Sequence, residues 1–176
     1  MILVETPEEA EQVVLPPHER LAVLTQTTLS VDEVTATMDV LQRRFPHMER
    51  PQKEDICYAT TNRQAAVREL AAQSDLVLIV GSTTSSNSNR LREVAESLGA
   101  EAHLIMSGAE VRDEWKRNFR TVGISSGAST PEVLVEEVMG ALMSENPDAS
   151  MEILETVRED VSFRPARDLI QLAMAR

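Results

Sequence analysis

The sequence predicts an α/β fold built on parallel strands, and three observations predict it. The run DLVLIVG at 75–81 is continuously apolar, as a strand covered on both faces of a parallel sheet must be. From there to residue 143, short apolar runs alternate with segments of helical period. Turns rich in hydroxyls and amides lie between these runs and the helices that follow, which is where α/β sheets hold ligands.

The elements follow in chain order. Residues 1–14 give a weak strand–helix unit. ERLAVL at 19–24 reads as a short strand, and Ser30-Val31-Asp32-Glu33 as a capping box. Apolar residues at 31, 34, 38, 41 and 45 then keep a helical spacing. Pro46 and Pro51 bracket a loop, and Ile56-Cys57-Tyr58 reads as a strand end. Thr61-Asn62-Arg63-Gln64 is a second capping box opening a helix with Ala66, Val67, Leu70 and Ala71 on one face. After the strand at 75–81, Leu91, Val94, Ala95 and Leu98 share a helix face, with Gly99 as its C-cap. Residues 100–106 read as a strand, 110–117 as a short helix and 120–124 as a strand. Pro131 sits at the first position of a helix that carries Leu134, Val135, Val138 and Leu142 on one face. The tail ends in a short strand at 161–163 and a last helical turn or two.

Composition narrows the function. Twenty-nine acidic against 17 basic residues leave a net charge of −12. No basic stripe is available for a nucleic-acid backbone, so nucleic acid is excluded as a partner. A small phosphorylated ligand is not excluded, because backbone N–H groups and hydroxyls hold such ligands whatever the global charge. Aromatics are only 3% of the chain, so the core is aliphatic. No apolar stretch reaches the ~20 residues of a membrane span, and MILVETPEEAEQ lacks the basic start of a secretory signal. A single cysteine rules out an internal disulfide. These points predict a soluble cytoplasmic protein, or an organellar one whose targeting segment is not in this chain, with no membrane partner.

Four turns carry the chemistry: 25–28 (TQTT), 57–62 (CYATTN), 82–89 (STTSSNSN) and 125–130 (SSGAST). Each delivers a helix N-terminus with free N–H donors and the positive end of the helix dipole. One such turn is an ordinary cap. Four in one chain favour an anion cradle that needs no lysine. GxGxxG, GxxxxGK[ST] and GxSxG are all missing, so the common nucleotide cradle and the hydrolase elbow find no support. Cys57 taken alone reads as a small buried hydrophobe, since a cluster needs more thiolates than one. His18, His47 and His103 fall outside the hydroxyl-rich turns and read as structural or solvated. Trp115 and Phe119 read as packing residues, and the acidic runs at 8–11 and 152–160 as solvated faces.

TQTTLSVDE, ICYATTNRQ, VGSTTSSNSNRL and GISSGASTPE resemble, in order and spacing, signature segments of the LytB-type 4-hydroxy-3-methylbut-2-enyl diphosphate reductase family. The resemblance runs from about residue 2 to about residue 163. It implies three α/β units around a pseudo-three-fold axis, each a three-layer parallel-sheet unit. This chain would hold about one and a half of them: 1–53 the C-terminal part of the middle unit, 54–143 the third unit, and 144–176 a tail. It further implies a central [4Fe-4S] cluster held by one cysteine from each unit, with Cys57 as the third. Ser85, Ser86, Asn87 and Ser129 match diphosphate contacts. Thr27 matches a threonine that helps relay a proton to the substrate hydroxyl, with Thr28 its neighbour. The implied reaction removes an allylic hydroxyl reductively, the cluster binding the hydroxyl and passing electrons from a ferredoxin or flavodoxin. The family's other two cysteines, its diphosphate-binding histidines and its proton-delivering glutamate lie in an N-terminal half that has no counterpart here. The chain is therefore expected to be a fragment or split half, inactive without an N-terminal half chain. The alternatives are a non-catalytic prenyl-diphosphate-binding module and a degenerate remnant.

Overall fold

The computed structural model describes residues 1–15, 20–50, 55–146 and 148–157. Its centre is a three-stranded parallel sheet of β1 (Leu76–Val80), β2 (Glu101–Ile105) and β3 (Val122–Ser126), in the order β2-β1-β3. Every residue of β1 is fully buried. The strand's two faces feed two different cores. Val77 and Ile79 pack with Val67, Leu91, Val94 and Ala95, which come from α3 (Tyr58–Gln73) and α4 (Ser86–Ser97). Leu76, Leu78 and Val80 pack with Trp115 and Val138, from α5 (Asp113–Asn118) and α6 (Glu132–Met143). The unbroken apolar run at 75–81 thus becomes a strand between two helical layers, as its lack of alternation predicts. Leu76 and Val80 pair with Val122 and Ser126 on one side and with Glu101 and Ile105 on the other, so the three strands end at one level.

Side chains fix the joints. The Asp75 carboxylate accepts from the N–H groups of Arg120 (3.1 Å) and Thr121 (2.9 Å), which starts β3 beside β1. Gly99 has φ +83°, and its N–H reaches Glu96 O (2.9 Å) while that of Ala100 reaches Ala95 O (3.3 Å). That is a Schellman ending for α4, and a side chain at 99 would strain it.

The N-terminal part packs α1 (Pro7–Gln12) on α2 (Val31–Arg44) over a small core of Ala10, Leu41 and Met48. Thr6 caps α1, and Ser30 caps α2 by accepting from Glu33 N at 3.4 Å. The Arg44 guanidinium donates to Ala10 O, and at 2.9 Å to Val13 O, satisfying carbonyls at the end of α1. Gln64 ties this part to the sheet unit. It is fully buried on α3; its amide donates to Leu29 O (2.9 Å) and accepts from Val31 N (3.1 Å). Ion pairs Arg68–Asp32 (2.6 Å) and Arg90–Glu33 (2.9 Å) reinforce the tie.

Several expectations are corrected. The strand at 19–24 is a single parallel bridge, Ala22 to Glu49, and residues 1–5 form no strand. Ile56-Cys57-Tyr58 is no strand end: α3 already begins at Tyr58, with Cys57 as its N-cap. The capping box at Thr61–Gln64 lies inside that helix, where the Thr61 hydroxyl bonds Cys57 O (3.4 Å) and Gln64 turns inward. α4 starts at Ser86, so half of the polar turn 82–89 is helix. Pro131 caps α6 rather than opening it. His103 lies in β2 and Trp115 in the core, as expected. The strand and helical turn placed after residue 160, and His18, lie outside the described residues. Among the described residues no helix is long and apolar enough to cross a membrane.

Candidate functional site

The sheet order reverses at β1: the chain leaves β1 toward β2 on one side and returns through β3 on the other. In open α/β sheets a ligand cleft opens at such a switch point, at the carboxyl ends of the strands. Here that end carries the turns 81–86 and 127–131. Two bonds draw them together, and a third ties the first turn to β2. Gly127 N (3.0 Å) and Thr130 Oγ1 (2.9 Å) both donate to Val80 O, and Gly81 N donates to Ile105 O (2.8 Å). Ser88, buried at the start of α4, sits between the two glycines. A Cβ at Gly81 or at Gly127 would lie 2.3 Å from its Oγ, so neither position tolerates a side chain while Ser88 stays in place.

Within turn 82–89 the polar groups divide by task. The Ser82 and Thr84 hydroxyls bond each other (2.8 Å). Asn89 clamps the loop by donating to Thr83 O (2.8 Å) and Ser85 O (2.9 Å). Ser85 is the N-cap of α4: its Oγ accepts from Ser88 N (3.3 Å) and from Ser88 Oγ (3.1 Å). Ser86 is exposed in the first turn of α4. Asn87 stands apart. It is 8% exposed, yet neither its Nδ2 nor its Oδ1 has a hydrogen-bond partner. A buried amide left unsatisfied costs about 1–3 kcal/mol, and native folds keep very few of them. Across the cleft, Ser129 is exposed at the start of the α6 turn.

The other two polar turns do not follow regular strands, but the backbone joins them. Cys57 N donates to Thr27 O (3.1 Å), and Thr25 N donates to the Asp55 carboxylate (2.8 Å). Thr27 and Cys57 are therefore neighbours, both exposed, with Thr28 half-buried beside them. Exposure removes the reading of Cys57 as a small buried hydrophobe. Its side chain makes no cap bond to α3. Arg90 of α4, paired with Glu33 of α2, links this cluster's elements to the Ser85–Asn87 turn.

Sequence reasoning found Ser85, Ser86, Asn87 and Ser129 but missed Gly81, Ser88, Gly127 and Thr130, which set their spacing. A glycine directly after each of two apolar strands was the available signal.

Fold and arrangement together define the class: an open parallel α/β sheet protein with a polar, lysine-free cradle at its switch point. The LytB protein family model matches residues 1–143, and the chain belongs to that family. It is 47% identical over 176 residues to the 4-hydroxy-3-methylbut-2-enyl diphosphate reductase of Burkholderia pseudomallei, covering 100% of this chain and 56% of the relative. It is 45% identical over 169 residues to the reductase of the same name from Yersinia enterocolitica, covering 96% of this chain and 53% of the relative. The solved structure of the E-1-hydroxy-2-methyl-but-2-enyl-4-diphosphate reductase from Plasmodium falciparum superposes with a TM-score of 0.87 at 27% identity, over 98% of this chain and 54% of that one. The chain thus spans about half the length of the curated relatives it matches.

The donor set can be tested against an iron–sulfur cubane. Such a cluster is held by three or four thiolates. This sequence has one cysteine, and among the described residues no three His, Cys, Asp or Glu gather to hold a metal. Cys57 offers one exposed thiol, and the chain by itself does not fit the whole group.

Proposed function

We propose that this chain is the diphosphate-binding half of a 4-hydroxy-3-methylbut-2-enyl diphosphate reductase. The observation that carries this reading is Asn87, buried in the hydroxyl-rich first turn of α4 with both polar amide atoms unpartnered. An anion with several oxygens satisfies that amide and the α4 N-terminus at once. Ser85, Ser86, Asn87 and Ser129 bind the diphosphate of an allylic substrate from two sides of the cleft. The exposed thiol of Cys57 serves as one ligand of a [4Fe-4S] cluster whose two further cysteines come from an N-terminal half. Thr27, held to Cys57 through the backbone, presents its hydroxyl to the substrate hydroxyl and passes a proton to it, and Thr28 flanks the same site. The whole reaction is a two-electron, two-proton removal of an allylic hydroxyl, with ferredoxin or flavodoxin as donor. In this reading 1–53 completes a middle unit, 54–143 forms the third, and 144–176 is a tail; the assembled enzyme works in the cytoplasm.

A second reading has one observation in its favour. The hydroxyl-rich turns lie within this chain, whereas the cluster needs thiolates that it lacks. That suits a module that binds a prenyl diphosphate without chemistry. One experiment separates the two: iron and labile sulfide per chain after anaerobic reconstitution, alone and mixed with an N-terminal half from a relative. The split-reductase reading expects a cluster only in the mixture, and none when Cys57→Ser replaces the native chain there. A mixture that assembles but holds no cluster, while the chain binds diphosphate, leaves the binding module.

A further inference from the structure

Ser88 is the least explained polar residue of the cradle. It is 1% exposed, and its hydroxyl is already engaged by a neighbouring side chain. Its backbone N–H and its hydroxyl both end on the same acceptor, Ser85 Oγ, at 3.3 and 3.1 Å. A serine oxygen has two lone pairs and one proton. With two donors already ending on it, the Ser85 hydroxyl has its own proton left to offer. The same Ser88 Oγ is packed between Gly81 after β1 and Gly127 after β3, within van der Waals reach of both backbones. One buried side chain therefore packs against both glycines and engages the Ser85 hydroxyl from below.

We propose that Ser88 is the positioning residue of the diphosphate cradle, acting through Ser85 and never touching the ligand. The proposal rests on the diphosphate-binding reading above and extends it inward by one layer. Its consequence is that Ser85 is committed as a donor before ligand arrives. A hydroxyl that must not reorient suits an acceptor-only ligand such as a diphosphate, and suits an ammonium or another pure donor poorly.

The test is calorimetric titration of the 176-residue chain with inorganic diphosphate, with thermal unfolding run on every variant. Ser88→Ala is expected to weaken binding about 10-fold, the scale of one hydrogen bond to a charged group. Ser85→Ala weakens it comparably. The double variant Ser85→Ala/Ser88→Ala is expected to bind no more weakly than Ser85→Ala alone, because Ser88 works through Ser85. Gly127→Ala, whose new methyl lands on Ser88 Oγ, is expected to reproduce the loss. Losses that multiply in the double variant overturn the proposal, since Ser88 would then act by a route that does not pass through Ser85. Unchanged affinity in Ser88→Ala, with weakened affinity in Asn87→Ala, overturns the positioning role and leaves the diphosphate reading standing. A native chain that is folded and binds no diphosphate overturns both.

Discussion

Asn87 shows what a binding site costs a fold at the scale of one residue. Its amide is shielded from water, and neither end is satisfied. Nothing else in the cleft region requires an amide there, since Ser85 already caps α4 and Asn89 already clamps the loop. Replacing Asn87 by alanine removes an unpaired polar group worth about 1–3 kcal/mol and leaves a small cavity of opposing sign. The expected result is a urea unfolding midpoint equal to or above that of the native chain, together with loss of diphosphate binding. A clear fall in midpoint would mean that the amide has a partner in solution and is ordinary structure. The sequence shows the Ser-Ser-Asn run plainly, but it cannot show which of three adjacent polar residues turns inward. That depends on where α4 begins, and the first turn was misread as loop because Ser and Asn are weak helix formers that a capped N-terminus accepts. Cys57 was harder still. A lone cysteine is buried more often than not, whereas this one is the N-cap of α3 and lies at the surface.

Between elements, charge joins α5 to the end of α6. Lys116 bonds Asp113 (3.1 Å) within its own helix and Glu145 (2.9 Å) just past α6, and Arg117 reaches the same Glu145 (3.2 Å). Hydrogen bonds from Lys116 hold the carboxyls of both Asp113 and Glu145 below their ordinary values of 3.8 and 4.5. Hydrogen bonds from Glu145 and then Asp113 raise the Lys116 ammonium above its ordinary 10.5. The signs follow from linkage. A depressed carboxyl stabilises the fold above its unfolded pKa, and that contribution disappears as pH falls through the folded value. A raised ammonium stabilises below its unfolded pKa, and that contribution disappears as pH rises through the folded value. The clip is therefore complete between about pH 5 and pH 10. Glu145→Gln should lower the unfolding midpoint at pH 7, and the gap to the native chain should close as pH falls below 4 and as salt is raised. An equal gap at pH 3 would assign the loss to packing. Of the elements that this clip joins, α6 was legible from period alone, because its apolar face recurs over twelve residues, whereas α5 is a single short helix of six. The two short strands near residues 20 and 57 were not. Brief apolar runs fit a strand, a bridge or an extended loop equally well, and the choice falls to tertiary contacts such as Thr25 with Asp55 and Cys57 with Thr27.

At the scale of the whole molecule the two parts are unequal. The sheet unit has a fully buried strand with apolar clusters on both faces. The N-terminal part has three buried apolar residues at its centre, and its described surface leaves Met1, Ile2, Leu3, Val14 and Leu24 exposed. What couples the parts is polar: the buried Gln64 amide, the two arginine ion pairs and the Thr27–Cys57 backbone bond. Hydrogen exchange should resolve this difference. The amides of β1 should exchange only through global unfolding. Those of α1 and α2 should exchange through a smaller opening, at least tenfold faster, a gap of about 1.4 kcal/mol or more. Gln64→Ala leaves Leu29 O and Val31 N without their partner and a cavity in place of the side chain, so it should speed exchange in α2 far more than in β1. The same opening would separate Thr27 from Cys57 while sparing the Ser85–Asn87 turn. Diphosphate should then slow exchange at the start of α4 before it slows any in α2. Equal protection across both parts would mean that the chain folds as one cooperative unit and that the polar joint is as strong as the apolar cores it connects.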